Sequence, residues 1–263
     1  MVDAAKINST NSSMHVMKKP AGTNENDSHP FTANLLRPLA IIAAAAAIAL
    51  TTGCSSVTLF QSAFNSNAVG AAPAHVQATG TIDVAGAPGG VLVVDPPPGA
   101  NEHWAKISRA GGPQSPISSM LCNFSAVKGP GTYSLAAAMF IPSGSGLATV
   151  EFVTAPSGAP PNIGFLHFDF MEDGTVRLDD DSAQIWGTYQ HDKFFDLFVT
   201  LDITATTAVA HMSLIGSGTS GSKDYTVPLG KFANQLGAVK VWMGSPWGGS
   251  FDITDIIVTK RTN

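Results

Sequence analysis

Alternate positions of one segment carry side chains that are well suited to hold a ligand. In the run HFDFME, His167 and Asp169 share one parity, whereas Phe168 and Phe170 share the other. Successive side chains of a strand point to opposite faces, so His167 and Asp169 are predicted to project from the face opposite the apolar residues. An imidazole and a carboxylate can hydrogen-bond a polar ligand there. The alternative is an ordinary solvated sheet face.

Aromatic side chains form a second group of candidates. Trp242 shares its parity with Lys240 and is predicted to face outward, and Trp186, Tyr189 and Trp247 are predicted on or near loops. Aromatic rings stack on the apolar C–H faces of sugars, although most tryptophans in sandwiches pack in the core or at an edge. Together with the pair above, Trp186 and Trp242 are therefore candidate carbohydrate-binding residues, with core packing as the alternative.

Acidic residues suggest a metal site. The run 179–181 contains three consecutive aspartates, and Asp252 and Asp255 flank the last predicted strand. Oxygen-rich groups are the ligands that calcium prefers, so Asp252 and Asp255 are candidate ligands of a structural calcium, with an acidic solvated loop as the alternative. The apolar parity slips between Ile253 and Ile256, which predicts a β-bulge near Asp255.

These candidates lie in a chain dominated by period-two alternation, which predicts half-buried strands. Short turn segments rich in glycine and proline, such as PGG at 88–90 and KGPG at 128–131, separate the strands. The pattern predicts an all-β, antiparallel β-sandwich formed by residues 55–263 as a single domain. The alternating apolar residues are Tyr133, Leu135, Ala137, Met139 and Ile141; Leu166, Phe168 and Phe170; Phe195, Leu197, Val199, Leu201 and Ile203; Ala208, Ala210, Met212 and Leu214; and Val239, Val241 and Met243.

The first 54 residues have the composition of a targeting segment. Residues 37–54 contain a basic residue, an apolar stretch of about twelve residues and then small residues, which is typical of an export signal and too short to span a membrane. Residues 1–36 are polar and are predicted to be a disordered N-terminal extension. The signal ends at Cys54, so Cys122 is expected to be unpaired and buried.

Charge narrows the range of partners. The chain of 263 residues has a formal net charge of −5, and from Ser55 onward ten Lys and Arg residues face sixteen Asp and Glu residues. This balance predicts no nucleic-acid partner and no basic patch that would attract nucleic acid or anionic lipid.

Two family resemblances follow from these residues. The segment LTTGCSS resembles the lipobox of bacterial lipoproteins, which implies that Cys54 is acylated and that the domain is held at a membrane of the cell envelope, the outer membrane in a Gram-negative cell. The runs GFLHFDFMEDGTVRL, FFDLFVTLDITATTAVAHMSLIGSG and VKVWM with FDITDIIVTK resemble the concanavalin A-like lectin/glucanase jelly roll. Several members of that superfamily hold a structural calcium through an aspartate resembling Asp255.

The resemblance also implies what a catalytic member would require. Glucanases of this superfamily place two carboxylates at alternate positions of one strand, about 5–5.5 Å apart in retaining enzymes. Here His167 stands at the nucleophile's position and Glu172 begins a turn. Catalysis by this strand is therefore not expected.

Three functions remain from the sequence. The favoured hypothesis is a lipid-anchored, non-catalytic envelope module that binds glycan or another envelope polymer. The second is a structural or adhesion lipoprotein without a small ligand, favoured by the low content of charged residues, 13%. The third is a glucanase-type glycoside hydrolase, which the missing carboxylate pair disfavours.

Overall fold

Alternating apolar residues form β-strands throughout the described part of the chain. The computed structural model describes residues 55–74, 79–156, 163–178, 184–216, 219, 221–227, 234–244 and 248–262. The strands are β1 Ser55–Ser62, β2 Thr81–Ala85, β3 Val91–Val94, β4 Trp104–Arg109, β5 Ser119–Lys128, β6 Gly131–Phe140, β7 Ala148–Val153, β8 Gly164–Phe170, β9 Thr175–Leu178, β10 Ile185–Thr188, β11 Phe194–Ile203, β12 Ala208–Gly216, β13 Ser222–Thr226, β14 Leu236–Met243 and β15 Gly249–Thr262, with a turn of 3-10 helix at Phe64–Ser66.

The strands form two antiparallel sheets. The eight-stranded sheet has the order β13-β12-β11-β6-β15-β4-β3, and β1 also pairs with β15. The seven-stranded sheet has the order β10-β9-β8-β7-β14-β5-β2. Each sheet combines strands from distant parts of the chain, since β15 pairs with β6 and β14 lies between β7 and β5. The predicted all-β antiparallel sandwich is thus confirmed.

The hydrophobic core lies between the two sheets. Phe170 of the seven-stranded sheet lies 5.6 Å, between ring centroids, from Phe195 of the eight-stranded sheet, and Trp186 lies 5.9 Å from Tyr225 across the same gap. The five alternating apolar sets predicted from the sequence are all buried. Cys122 is also buried, as expected, and burial raises the pKa of its thiol.

The last strand contains the predicted bulge. The register of β15 against β6 shifts between Thr254 and Ile257, and Asp255 has a φ of 51°. A left-handed backbone at a residue other than glycine is uncommon, and aspartate is among the types that tolerate it. The extra residue restores Ile256 and Val258 to the core.

The predicted targeting segment lies outside the described residues, and with it Cys54 and the predicted extension 1–36. Within the described ranges, no helix is both long and apolar enough to cross a bilayer.

Candidate functional site

Polar side chains gather on the outer face of the seven-stranded sheet. Cross-strand pairing aligns Thr149 with both Asp169 and Trp242, and it aligns Glu151 with His167 and Lys240. The alternate residues of the same strands face the core, so the strand period itself sends these six side chains outward. We call this set the polar face; its members are Thr149, Glu151, His167, Asp169, Lys240 and Trp242.

A buried carboxylate organises one half of the polar face. Thr149 Oγ1 donates a hydrogen bond of 2.7 Å to Asp169 Oδ1, and Nε2 of His167 lies 3.5 Å from Asp169 Oδ2. Asp169 is only 2% exposed, whereas the His167 side chain is 17% exposed. Asp169 projects to the predicted face but lies beneath its neighbours. It therefore fixes the orientation of His167, and His167 is the member of the pair that reaches solvent.

An ion pair organises the other half. Lys240 Nζ lies 3.7 Å from Glu151 Oε2, and the two side chains are 34% and 14% exposed. Gly164 leaves the space that Glu151 occupies, because a Cβ atom at Gly164 would lie 1.5 Å from Glu151 Oε1. The absence of a side chain at Gly164 thus allows the carboxylate to lie flat against the neighbouring strand.

Trp242 adds an aromatic ring to the polar face. Lys240 Nζ lies over the indole, 5.3 Å from the ring centroid, in the geometry of a cation–π contact. Trp242 Nε1 is buried and has no hydrogen-bond partner among the described residues. The outward parity predicted for Trp242 and Lys240 agrees with this placement, but Lys240 already covers one face of the ring. A sugar that stacked there would have to displace the ammonium group.

Trp186, which was predicted on or near a loop, lies within a strand and is buried. Trp186 belongs to β10, is 4% exposed and packs against Phe168 at 6.0 Å and Tyr225 at 5.9 Å between ring centroids. Tyr189 is buried as well. These rings close the core at the edge of the sheet, where a large apolar side chain is stabilised by contacts from both sheets. Trp247 lies outside the described residues.

A cavity of about 180 Å³ adjoins the polar face at the far end of β7 and β8. Its lining is formed by the residues that precede β7 and follow β8. Leu147 of this lining also lies next to Gly244 and therefore near the indole of Trp242. This volume is below the roughly 300–1,000 Å³ of sites that enclose drug-sized ligands, so a ligand of that size would lie on the open surface rather than inside the cavity. The lining residues are Gly146, Leu147, Met171, Glu172 and Asp173.

The candidate calcium ligands lie on the other sheet, next to different partners. Burial, opposed by the charge of Lys106, raises the pKa of Asp252 to about 6. Burial, and then repulsion by Glu102, a hydrogen bond with Glu102 and repulsion by Asp196, raise the pKa of Asp255 to about 7.

The described residues contain no group of three or more His, Cys, Asp or Glu side chains placed to hold a metal ion. The aspartates 179–181 lie outside the described ranges. A structural calcium at Asp252 and Asp255 stays a prediction. The carboxyl groups that influence Asp255 are those of Glu102 and Asp196. We call these three residues the acidic cluster.

Sequence reasoning missed Glu151. Residue spacing along a single strand does not reveal this position, because Glu151 belongs to β7 and meets His167 of β8 only through strand pairing. Its signal was one charged residue within the apolar run ATVEFV, a position that must point away from the core. Arg177 of β9 lies opposite Asp169 in register and contacts Asp173 at 3.1 Å, which extends the row of charges by one strand.

Comparisons with known proteins concern the fold. No protein-family model matches the sequence, and no curated protein is similar to it. Solved structures are similar to most of the chain. Lectin UEA-II complexed with galactose has a TM-score of 0.44 and 11% identity, over 80% of this chain and 99% of that chain.

Two further structures extend this comparison. Arcelin-5, a lectin-like defence protein from Phaseolus vulgaris, has a TM-score of 0.48 and 10% identity, over 79% and 98% of the two chains. The catalytic domain of a glycoside hydrolase family 131 protein from Coprinopsis cinerea has a TM-score of 0.48 and 13% identity, over 76% and 93%. The likeness concerns the fold alone, because a fold of this kind does not determine a function.

Proposed function

We propose that the polar face binds a carbohydrate of the cell envelope without cleaving it. The proposal rests on one observation: hydrogen-bonding groups from β7, β8 and β14 lie together beside one indole ring. Glu151 offers acceptor oxygens, Lys240 offers donors, and the His167 ring lies beside them; all three side chains are partly exposed. Sugar hydroxyls both donate and accept hydrogen bonds, so this mixture of fixed groups matches their chemistry.

The charges of the polar face favour binding over hydrolysis. Asp169 is engaged by Thr149 and His167, and Glu151 is engaged by Lys240. A retaining or inverting glycosidase needs one carboxylic acid that holds a proton while a second carboxylate remains ionised. Both carboxylates of the polar face are instead engaged by neighbouring side chains, which favours a binding role.

We further propose that the domain is lipid-anchored through Cys54 on the extracytoplasmic side of the cell envelope, at the outer membrane in a Gram-negative host. The lipobox-like segment LTTGC supports the anchor. The first described strand starts at Ser55, so cleavage before Cys54 would leave every described strand intact. Two or three acyl chains on one cysteine hold a protein at a bilayer almost permanently.

A structural or adhesion role without a small ligand is the second candidate. The observation that favours it is the position of Lys240, which covers Trp242 and pairs with Glu151 and so satisfies these groups in the absence of any ligand.

One experiment separates the two candidates. The full chain in mild detergent is screened on a glycan array, and its hits are tested again with Trp242→Ala and with Asp202→Asn, an exposed control on the other sheet. Carbohydrate binding predicts hits that Trp242→Ala abolishes and Asp202→Asn preserves. An array without hits, together with a loss of about 3–5 kcal/mol of stability in Trp242→Ala, would support the structural role.

The lipid anchor has its own test. Expression of the parent and of Cys54→Ala in a bacterial host with labelled palmitate should give a labelled, membrane-bound parent and an unlabelled variant. Equal labelling of both proteins would contradict the acylation of Cys54.

A further inference from the structure

One end of the sandwich lies directly beside the proposed acylation site. Ser55, the first residue of β1, pairs with Thr262 at the end of β15. β5 ends at Lys128 and β6 begins at Gly131, and β14 begins opposite the end of β5. Strands of both sheets therefore meet here, and we call this region, marked by Ser55, Lys128, Gly131 and Thr262, the anchor end.

Positive charge collects at the anchor end of an acidic protein. Lys128, Lys260 and Arg261 are three of the ten basic residues that follow Cys54 in the sequence. Lys260 Nζ donates a hydrogen bond of 3.0 Å to the carbonyl oxygen of Gly129, which holds the ammonium over the turn between β5 and β6. Burial and then the nearby charge of Lys128 lower the pKa of Lys260. Like charges held together in this way favour a bound anion.

Few negative charges oppose this cluster. In the described part of the chain, the strand-terminal residues of β1, β5, β6, β11, β14 and β15 at this end carry no carboxylate, nor do the turns at 129–130 and 204–207. Asp202 lies one position before the end of β11. Among the described ends of these six strands, three cations thus accompany one carboxylate, that of Asp202, which pairs with Thr132.

Exposed apolar side chains accompany the cations. Val57 is 50% exposed and lies opposite Lys260 in register, and Val127 is 39% exposed and precedes Lys128. Cations beside exposed apolar groups match the two layers of a bilayer surface, since phosphates attract the cations and the acyl boundary accepts the valines.

We propose that the anchor end docks on the anionic lipid headgroups of the membrane that holds Cys54. The inference rests on the proposed lipid anchor. Consecutive Cα atoms are about 3.8 Å apart, so an acylated Cys54 keeps Ser55 at the bilayer surface and leaves no linker between lipid and fold. Docking would point the opposite end of β7 and β8, with the cavity beside Trp242, away from the membrane.

The test measures which end of the lipidated full chain lies at the bilayer. The protein is reconstituted in vesicles of phosphatidylcholine with phosphatidylglycerol, and a fluorophore is attached to Val127→Cys at the anchor end or to Ala110→Cys at the opposite end. The buried Cys122 thiol, whose pKa is raised, does not compete for the label. A quencher on the lipid headgroups should quench the label at position 127 strongly and the label at position 110 weakly.

Charge variants connect this orientation to the cations. Lys128→Gln with Arg261→Gln should shift the equilibrium away from the docked orientation by roughly fivefold per charge removed. Lys193→Gln with Lys223→Gln removes the same charge from exposed positions elsewhere and should leave the quenching unchanged.

The results of these experiments distinguish the docking proposal from the lipid-anchor proposal. If the protein incorporates palmitate and stays on vesicles but both labels are quenched equally, or if Lys128→Gln with Arg261→Gln changes nothing, the docking surface is overturned and the anchor stands. If palmitate is not incorporated and the protein leaves the vesicles, both proposals are overturned.

Discussion

The outer faces of the two sheets arrange their charges in opposite ways. On the seven-stranded sheet each carboxylate of the polar face lies near a basic side chain, Asp169 beside His167 and Glu151 beside Lys240. On the eight-stranded sheet burial, and then the neighbouring carboxyl groups of Glu102 and Asp196, raise the pKa of Asp255 to about 7. A carboxyl group that is buried and lies near other carboxyl groups destabilises the fold when it is ionised.

The contrast has a structural origin. The pairs of the polar face follow from regular register, because opposite residues on neighbouring strands are in contact. The acidic cluster depends on an irregularity, the bulge that gives Asp255 a φ of 51° and brings its carboxyl group beside Glu102. On the polar face, regular strand pairing places each charged side chain in contact with a neighbour, and a ligand would have to replace these contacts. At the bulge the pKa of Asp255 is raised, so the stability of the fold depends on pH there.

The largest expected effect is that of Asp255→Asn. An unfolded aspartate titrates near pH 4, so between about pH 4 and 7 the folded state binds a proton that the unfolded state has lost. This contribution to stability is present below about pH 4 and is lost as the pH rises through 7. At about pH 8 the variant should be more stable by about 2–4 kcal/mol, and near pH 4 the difference should vanish.

Thermal melting across this pH range checks the prediction. Asp202→Asn, which removes an exposed carboxylate from the same sheet, is the control and should shift the curve little. A parent protein whose stability is constant from pH 4 to 8 would show that the acidic cluster does not destabilise the fold.

Calcium provides the second test of the comparison. If Asp252 and Asp255 bind calcium, as the sequence predicts, the metal should raise stability by about 1.4 kcal/mol at ten times its Kd, and Asp255→Asn should remove the effect. Differential scanning calorimetry with calcium and with a chelator measures the shift. No difference between the two conditions would eliminate the calcium site.

Gly164→Ala should disturb the polar face by a smaller amount. The new Cβ would displace the Glu151 carboxylate, and because that group is the far end of a flexible side chain the cost should be about 1 kcal/mol. Gly129→Ala is the matched control, since nothing lies within 4 Å of its Cβ position. Equal urea midpoints for both variants would mean that Glu151 does not occupy this space in solution.

The smallest effect is expected from the ion pair itself. A double-mutant cycle of Glu151→Gln and Lys240→Gln should give a coupling energy of about 0.5–1 kcal/mol, because both groups are partly exposed. Chemical denaturation of the four proteins supplies the values. A coupling energy of zero would mean that the two charged groups are not in contact in solution.

The elements that sequence predicted well are those set by local periodicity. The alternation of Phe195 to Ile203 required a half-buried strand, and the slip near Asp255 required a bulge; both are confirmed. Trp186 was misplaced because β10 has only four residues and no repeated alternation to indicate its buried face.

Features that depend on strand pairing could not be predicted from the sequence. Glu151 and Lys240 are 89 positions apart, and nothing local predicts that β7 and β14 are neighbours. The cations of the anchor end are similarly distant, since Lys128 precedes Lys260 by 132 positions. Their proximity is decided by the global topology of the two sheets, which the alternating pattern leaves open.

Calorimetric titration of Glu151→Ala tests whether the polar face binds carbohydrate. A glycan selected on the array is titrated into the full-length parent, into Glu151→Ala and into Asp202→Ala as the control on the other sheet. We expect at least about a tenfold loss of affinity in Glu151→Ala, the equivalent of about 1.4 kcal/mol, and an unchanged affinity in the control. Equal affinity of all three proteins would contradict carbohydrate binding by the polar face.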